Sequence, residues 1–170
     1  DIVGSSLGLI VLSPLFLAIA FAIKWESEGP VLVMLDRVSR KEHFKLYKFR
    51  SMIKDAEKYK ENLWQFNERS DSPLFKMRED PRVTGVGRFL RRCRLDEFPQ
   101  LWNVLRGDIS LVGPRPHQPD EIAKYEKHHR RVLAIKAGAT GMAQISGSSD
   151  LPFEKEVAMD TLYMESWSLG

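Results

Sequence analysis

The chain has 170 residues, 43% hydrophobic and 29% charged, enough to bury one core and too few for a second catalytic domain. A formal net charge of +3 points to anionic partners without choosing among nucleic acid, phospholipid and sugar nucleotides. The single cysteine, Cys93, excludes an intrachain disulfide and a cysteine-only zinc site and fits a reducing compartment; no P-loop, dinucleotide fingerprint or internal repeat is present.

The segment IVGSSLGLIVLSPLFLAIAFAI (2–23) is uncharged over about 22 residues, long enough to cross the hydrocarbon core as a helix. Ser13-Pro14 falls in its middle. Pro14 removes a helical hydrogen bond and favours a kink, and the Ser13 hydroxyl can bond a freed backbone group. A helix that breaks there and turns back, a kinked spanning helix and a buried soluble helix are the three readings, the last being the weakest because the segment is apolar all round. Trp25 is a candidate interfacial anchor.

Beyond Gly29-Pro30, the β-prone runs 31–35 and 44–49 read as a small β-hairpin joined through the charged turn SRKEH (39–43). Lys48 and Arg50 alternate with apolar residues, so a strand end would point their charge at bound phosphates. Asp55 to Glu68, with Leu63, Trp64 and Phe66, reads as a surface helix against a core or an interface. A turn-rich connector then leads into GRFLRRCR (87–94), where Phe89 and Leu90 lie among four arginines as on an amphipathic helix resting on an anionic lipid surface.

RLDEFPQLWNVLRGDISLVGPRP (94–116) is the most informative stretch. Pro99 belongs in a first helical turn, which puts the helix start near Leu95 or Asp96. Phe98, Leu101, Trp102 and Leu105 give an apolar face, and Gly107 terminates the helix. Asp96 and Glu97 therefore stand beside Arg88, Arg91, Arg92 and Arg94, with Arg115 on the rigid turn Gly113 to Pro116. Helical N–H groups and guanidinium forks both match phosphate oxygens. Paired carboxylates in that setting can divide the labour, one attacking a phosphoryl centre and the other holding a divalent metal.

Toward the C-terminus, 118–134 reads as an amphipathic helix with Ile122, Tyr125 and Val132 inward. Its adjacent histidines, His128 and His129, would diverge by about 100° on a helix, against a shared metal. Gln144 and the polar run 146–150 form a loop suited to sugar or nucleotide contact. A last helix covers 153–167 and carries Asp160.

LDEFPQLWNVLRGDISLVGPRP closely resembles the signature of the bacterial sugar transferases, the monotopic polyprenyl-phosphate phosphoglycosyl transferases. KFRSM (48–52) is similar to a second family pattern, and PLFK and DPRVT resemble the long-form hexose-1-phosphate transferases. The family has a magnesium-dependent reaction in which a signature acid attacks a nucleotide-diphosphate sugar. The resulting covalent phosphosugar is passed to a polyprenyl phosphate. The resemblance implies Asp96 as nucleophile, Glu97 as Mg²⁺ ligand, and Arg91 and Arg115 as the foremost phosphate ligands, with Lys48 and Arg50 beside them. It implies active-site support from Asp160 and Gln144, and a re-entrant membrane helix broken at Ser13 and Pro14. The chain departs from the family in its glycine-free SRKEH turn, in Arg94 where Ser is usual and caps the helix, in Ala137 where Pro is usual, and in Ser148 where Arg is common.

These readings combine into an α-rich α+β monotopic membrane protein. It has a re-entrant anchor (1–23), a catalytic domain (24–170), a small β-hairpin and amphipathic interfacial helices, and sits on the cytoplasmic face of a bacterial inner membrane. The expected partners are a UDP-sugar, polyprenyl (undecaprenyl) phosphate and membrane lipids, and not nucleic acid. The oligomeric state stays open, a homodimer through Trp64 and Phe66 included. Two rivals stand beside it: a basic membrane-binding module without catalysis, and a single-displacement transferase using Asp96 only as base.

Overall fold

A computed structural model describes residues 1–68, 75, 77–147 and 151–166. Helix α1 (Ile2–Glu26) is unbroken, which corrects the expected interruption at Ser13-Pro14. The reason is local. Pro14 leaves the Ile10 carbonyl without its usual N–H, and the Ser13 hydroxyl donates to that same carbonyl at 2.8 Å, restoring the lost bond from a side chain. The helix reaches a mean hydropathy of 2.5 over 18 residues and is long and apolar enough to cross a membrane by length and composition. It packs on the rest of the chain along one stripe from end to end. Leu111 N–H donates to Asp1 Oδ1 at 3.0 Å, Gly8 lies against Leu101, and Phe16 meets Phe49 edge to face at 5.3 Å. The opposite stripe, including Val3, Leu17 and Phe21, is exposed, as is Trp25.

Strands β1 (Leu32–Ser39) and β2 (Glu42–Phe49) form the hairpin, antiparallel and in register from Leu32 opposite Phe49 to Ser39 opposite Glu42. Both strands run further than the β-prone runs suggested, leaving a two-residue turn. Arg40 and Lys41 take positive φ of 51° and 67° there, the left-handed geometry that matches strand twist and usually recruits Asn-Gly. A short helix α2 (Lys60–Leu63), flanked by 3-10 turns, replaces the continuous helix expected over 55–68. Helix α3 (Gly85–Arg92) is capped by Thr84, whose side chain accepts from the Gly87 N–H at 3.0 Å.

Helix α4 (Gln100–Arg106) ends at Gly107, φ 83°, as its sequence required. Its buried face is not the apolar one expected: Gln100, Asn103 and Val104 are inward, while Trp102 is 47% exposed. A two-stranded parallel ladder that sequence periodicity did not signal follows, β3 (Ser110–Val112) with β4 (Gly138–Thr140). It depends on missing side chains, since a Cβ on Gly138 would sit 2.1 Å from Gly113 N. Between the two strands lie α5 (Pro119–Ala123) and a 3-10 turn, His129–Ala134, in place of one long helix. Helices α6 (Met142–Ser146) and α7 (Phe153–Ser166) complete the chain.

Three apolar clusters hold these parts together. Ile19 and Ile23 of α1 pack with Phe49 and Leu90, joining α1 to β2 and α3. Leu46, Val104, Ile109 and Ala137 join β2, α4 and the parallel ladder. Tyr125, Val132, Phe153 and Val157 seat α7. The second cluster positions the site.

Candidate active site

Lys48 follows Leu46 by two residues on β2, so both project from the same strand face. That face is toward α4, because Leu46 is buried against Val104 and Ile109. Asn103 locks the arrangement. Fully buried, it accepts from Tyr47 N–H at 2.9 Å and donates to the Lys45 carbonyl and Asp108 Oδ2, each at 2.8 Å. A helix side chain thus occupies the edge of β2 as a further strand would, and fixes the lysine against the turn that precedes α4.

That turn is a 3-10 segment, Leu95–Glu97, entered through Arg94 in the left-handed region, φ 56°, with no side-chain cap. The exposed Arg94 donates from its guanidinium to the Gln144 carbonyl at 3.2 Å and so ties the turn to α6. Asp96 is buried, 7% exposed. Lys48 Nζ lies 2.6 Å from Glu97 Oε1 and 3.7 Å from Asp96 Oδ2. Arg115 Nη2 reaches the same Glu97 Oε1 at 3.3 Å. Burial alone would raise the Glu97 pKa, but Lys48 and Arg115 outweigh it and hold the carboxyl at about 2. Burial pushes the Lys48 ammonium down from its ordinary value, with Glu97 opposing.

Both cations engage Oε1, and among the described residues Glu97 Oε2 has no hydrogen-bond partner. A hard carboxylate oxygen beside a space suited to phosphate oxygens is the donor set Mg²⁺ favours, since it keeps waters and uses one or two carboxylates with substrate phosphates. The residues present therefore fit the metal.

Lys48, Glu97 and Arg115 line one hollow together with Arg37, Gln100 and Gln144. Sequence reading missed Arg37 because its direction follows from the hairpin register. Its Nη1 donates to the Asp36 carbonyl at 2.9 Å, and among the described residues it has no carboxylate within ion-pair distance. Gln144 is 3% exposed, and among the described residues neither its amide nitrogen nor its amide oxygen has a partner.

The remaining expected residues take other places. Arg91 donates from Nε to Ser51 Oγ at 2.9 Å, and Asp96 is the carboxylate it feels most strongly. Its helix is drawn close because a Cβ on Gly87 would lie 2.0 Å from the Ser51 carbonyl oxygen. Arg50 is not in the hollow: its guanidinium donates to the Ser27 and Glu28 carbonyls, tying β2 to the end of α1. Asp160 is buried behind the Arg115 loop. Burial, reinforced by Glu156, raises its pKa to about 6, and among the described residues Oδ1 lacks a partner. Ser148 lies outside the described residues, as do Ser149, Asp150 and Trp167 from the expected C-terminal loop and helix.

The two histidines do not diverge. His128 precedes the 3-10 turn, and both rings reach Glu154, at 3.3 Å and 2.7 Å. Glu126 N–H donates to His129 Nδ1 at 3.2 Å, so by this bonding the neutral ring carries its hydrogen on Nε2 and donates it to Glu154. That nitrogen then has no lone pair for a metal.

The family described as Bacterial sugar transferase matches residues 1–170. The chain belongs to this family. It is 40% identical over 171 residues to the galactosyl transferase CpsE of Streptococcus agalactiae, covering 99% of this chain and 38% of that one. Against the UDP-glucose:undecaprenyl-phosphate glucose-1-phosphate transferase of Klebsiella pneumoniae it is 39% identical over 178 residues, covering 99% and 36%. The exopolysaccharide production protein ExoY of Rhizobium meliloti is 38% identical over 173 residues, at 99% and 76% coverage. As a bacterial sugar transferase chain it thus spans between about a third and three quarters of these relatives' lengths.

Proposed function

We propose that the protein transfers a sugar-1-phosphate from a UDP-sugar to polyprenyl (undecaprenyl) phosphate, giving a polyprenyl-diphosphate-sugar and UMP in exopolysaccharide, capsule or related glycan assembly. One observation carries this reading. The buried Asp96 stands beside a hollow with three cationic side chains, Arg37, Lys48 and Arg115, and one lining carboxylate, Glu97. A cationic excess of that kind suits a diphosphate, and the names of the relatives supply the chemical class.

A carboxylate oxygen of Asp96 attacks the sugar-linked β-phosphorus, forming an acyl-phosphate bond while the bond to the UMP oxygen breaks. A phosphate oxygen of the polyprenyl acceptor then attacks the same phosphorus, and the Asp96 carboxylate leaves. Lys48 and Arg115 neutralise the charge that grows on the phosphoryl oxygens, and Arg91 adds to the field at Asp96. Glu97 Oε2 would hold Mg²⁺, which when bound supplies charge neutralisation and orientation of the diphosphate.

Helix α1 supports membrane attachment at the same surface. A helix packed on the catalytic body along its whole length, with its outer stripe apolar and exposed, suits a monotopic anchor whose two ends stay on one face of the bilayer, the cytoplasmic face of the inner membrane. Lipid and water-soluble substrates would meet there.

The test is purified protein with Mg²⁺ and a UDP-sugar but no lipid acceptor. The expected result is a burst of UMP equal to the enzyme present and a phosphosugar adduct on Asp96. Turnover with acceptor but no burst and no adduct would leave Asp96 acting as a base, and UMP release in neither condition would leave a membrane-binding module.

A further inference from the structure

Among the described residues that line the hollow, Gln144 is the one whose side-chain polar atoms are buried and unused. Its amide nitrogen and oxygen have no partner among the described residues, at 3% exposure. A buried amide left unsatisfied costs free energy unless a ligand completes it. The backbone around it is held firmly. Arg94 bonds its carbonyl, and Gly141, the residue before α6, has no Cβ, which would otherwise meet the Gln144 amide oxygen at 2.8 Å and the Gly113 carbonyl oxygen at 2.2 Å. The loop is thus shaped to leave this amide room, and the bond from Arg94 fixes it relative to the turn that carries Asp96.

We propose that Gln144 recognises a hydroxyl group of the transferred sugar, and so is a specificity-determining residue for the donor. The inference rests on the sugar-phosphate transfer proposed above. A primary amide offers one acceptor and two donors, matching a hydroxyl, which both gives and accepts a hydrogen bond. Uracil could pair with an amide as well, but position decides between them. Gln144 shares its hollow with Glu97 and Lys48, the groups beside the attacking carboxylate. A ring hydroxyl of the sugar lies one short step from the phosphorus under attack, whereas the base is separated from it by a further phosphate and a ribose. A site built to bond a hydroxyl discriminates strongly against analogues without it, because its own buried polar atoms are then unpaired.

The experiment compares wild type, Gln144→Met and Gln144→Glu in detergent with undecaprenyl phosphate, measuring UMP release from UDP-glucose, UDP-galactose and their 2-, 3-, 4- and 6-deoxy analogues. Wild-type release from a parent UDP-sugar is the control that tests the transfer reading by itself. For the preferred parent sugar, kcat/KM should fall about tenfold to a hundredfold in Gln144→Met. For one deoxy analogue, wild type and variant should agree within about twofold, because the partner hydroxyl is already gone. Gln144→Glu, which keeps the length and an acceptor, reads the same pattern should the Met variant fold poorly. An equal loss across every sugar and analogue, no loss at all, or a loss that disappears only when the uracil is replaced would each overturn the assignment.

Discussion

Two arginine–carboxylate groups in this protein look alike in composition and differ in completeness. In the first, Arg82 and Asp80 close on each other. Arg82 donates from Nε to Oδ1 at 2.9 Å, from Nη2 to Oδ2 at 2.6 Å, and from Nη1 to the Ala56 carbonyl at 3.2 Å. Its own N–H adds a bond to Oδ1 at 3.0 Å, and both side chains are almost wholly buried. In the second, Lys48 and Arg115 crowd one oxygen of Glu97, and among the described residues the other oxygen has no partner, Arg37 has no carboxylate within ion-pair distance and the Gln144 amide is unbonded. A saturated set is finished by the protein itself and holds structure; an unsaturated, cation-rich set is finished by something else.

The largest effect should come from the acid beside the unsaturated set. Asp96→Asn is expected to lower UMP release at least about a thousandfold while leaving the protein folded and vesicle-bound; normal turnover would end the proposal. Next, Lys48→Met and Arg115→Met should each cost about a hundredfold in kcat/KM per folded molecule, read by steady-state UMP release, with some loss of stability because each takes one cation from Glu97. The saturated set should behave in the opposite way. Asp80→Ala strands a buried guanidinium and should remove about 3 kcal/mol of stability, measured by denaturant titration, with little change in kcat per folded molecule. If Asp80→Ala instead lost activity at unchanged stability, the distinction between the two sets would fail.

Part of this was legible from the chain alone. The signature acids, Lys48 and Arg115 do converge, because the hydrophobic alternation on β2 points Lys48 toward α4 and the turn that carries the acids immediately precedes that helix. The apolar run 2–23 is helical, but the break read at Pro14 does not form: the Ser13 hydroxyl, legible as a donor to a freed backbone group, takes the Ile10 carbonyl and keeps the helix continuous. The parallel ladder β3–β4 was hidden because its strands are three residues each and depend on glycine contacts between distant segments. Asn103 and Gln100 carry no signal in the sequence, and only the packing of β2 against α4 turns them inward. Arg50, two positions from Lys48, looked equivalent to it, yet the strand ends at Phe49 and the arginine turns to the carbonyls that end α1.

The smallest effect sharpens the comparison through pH, because the half-buried Glu97 and the buried Asp160 shift in opposite directions. Glu97, held at about 2 against an ordinary 4.5, contributes stability that is present above pH 4.5 and lost as pH falls toward 2. Asp160 is raised to about 6 from 3.8, so its contribution is fully present below pH 3.8 and lost as pH rises through 6. Above that value the fold carries an ionised carboxylate with an unpartnered oxygen. Asp160→Asn should therefore match wild type near pH 3.5 and exceed it by about 1–2 kcal/mol at pH 7.5, followed as unfolding midpoint against pH. Because Asp160 lies behind the Arg115 loop, the same variant should turn over more slowly despite its greater stability, the trade expected where a strained acid is retained for function. A variant no more stable at pH 7.5 than at pH 3.5, relative to wild type, would place Asp160 with the saturated groups instead.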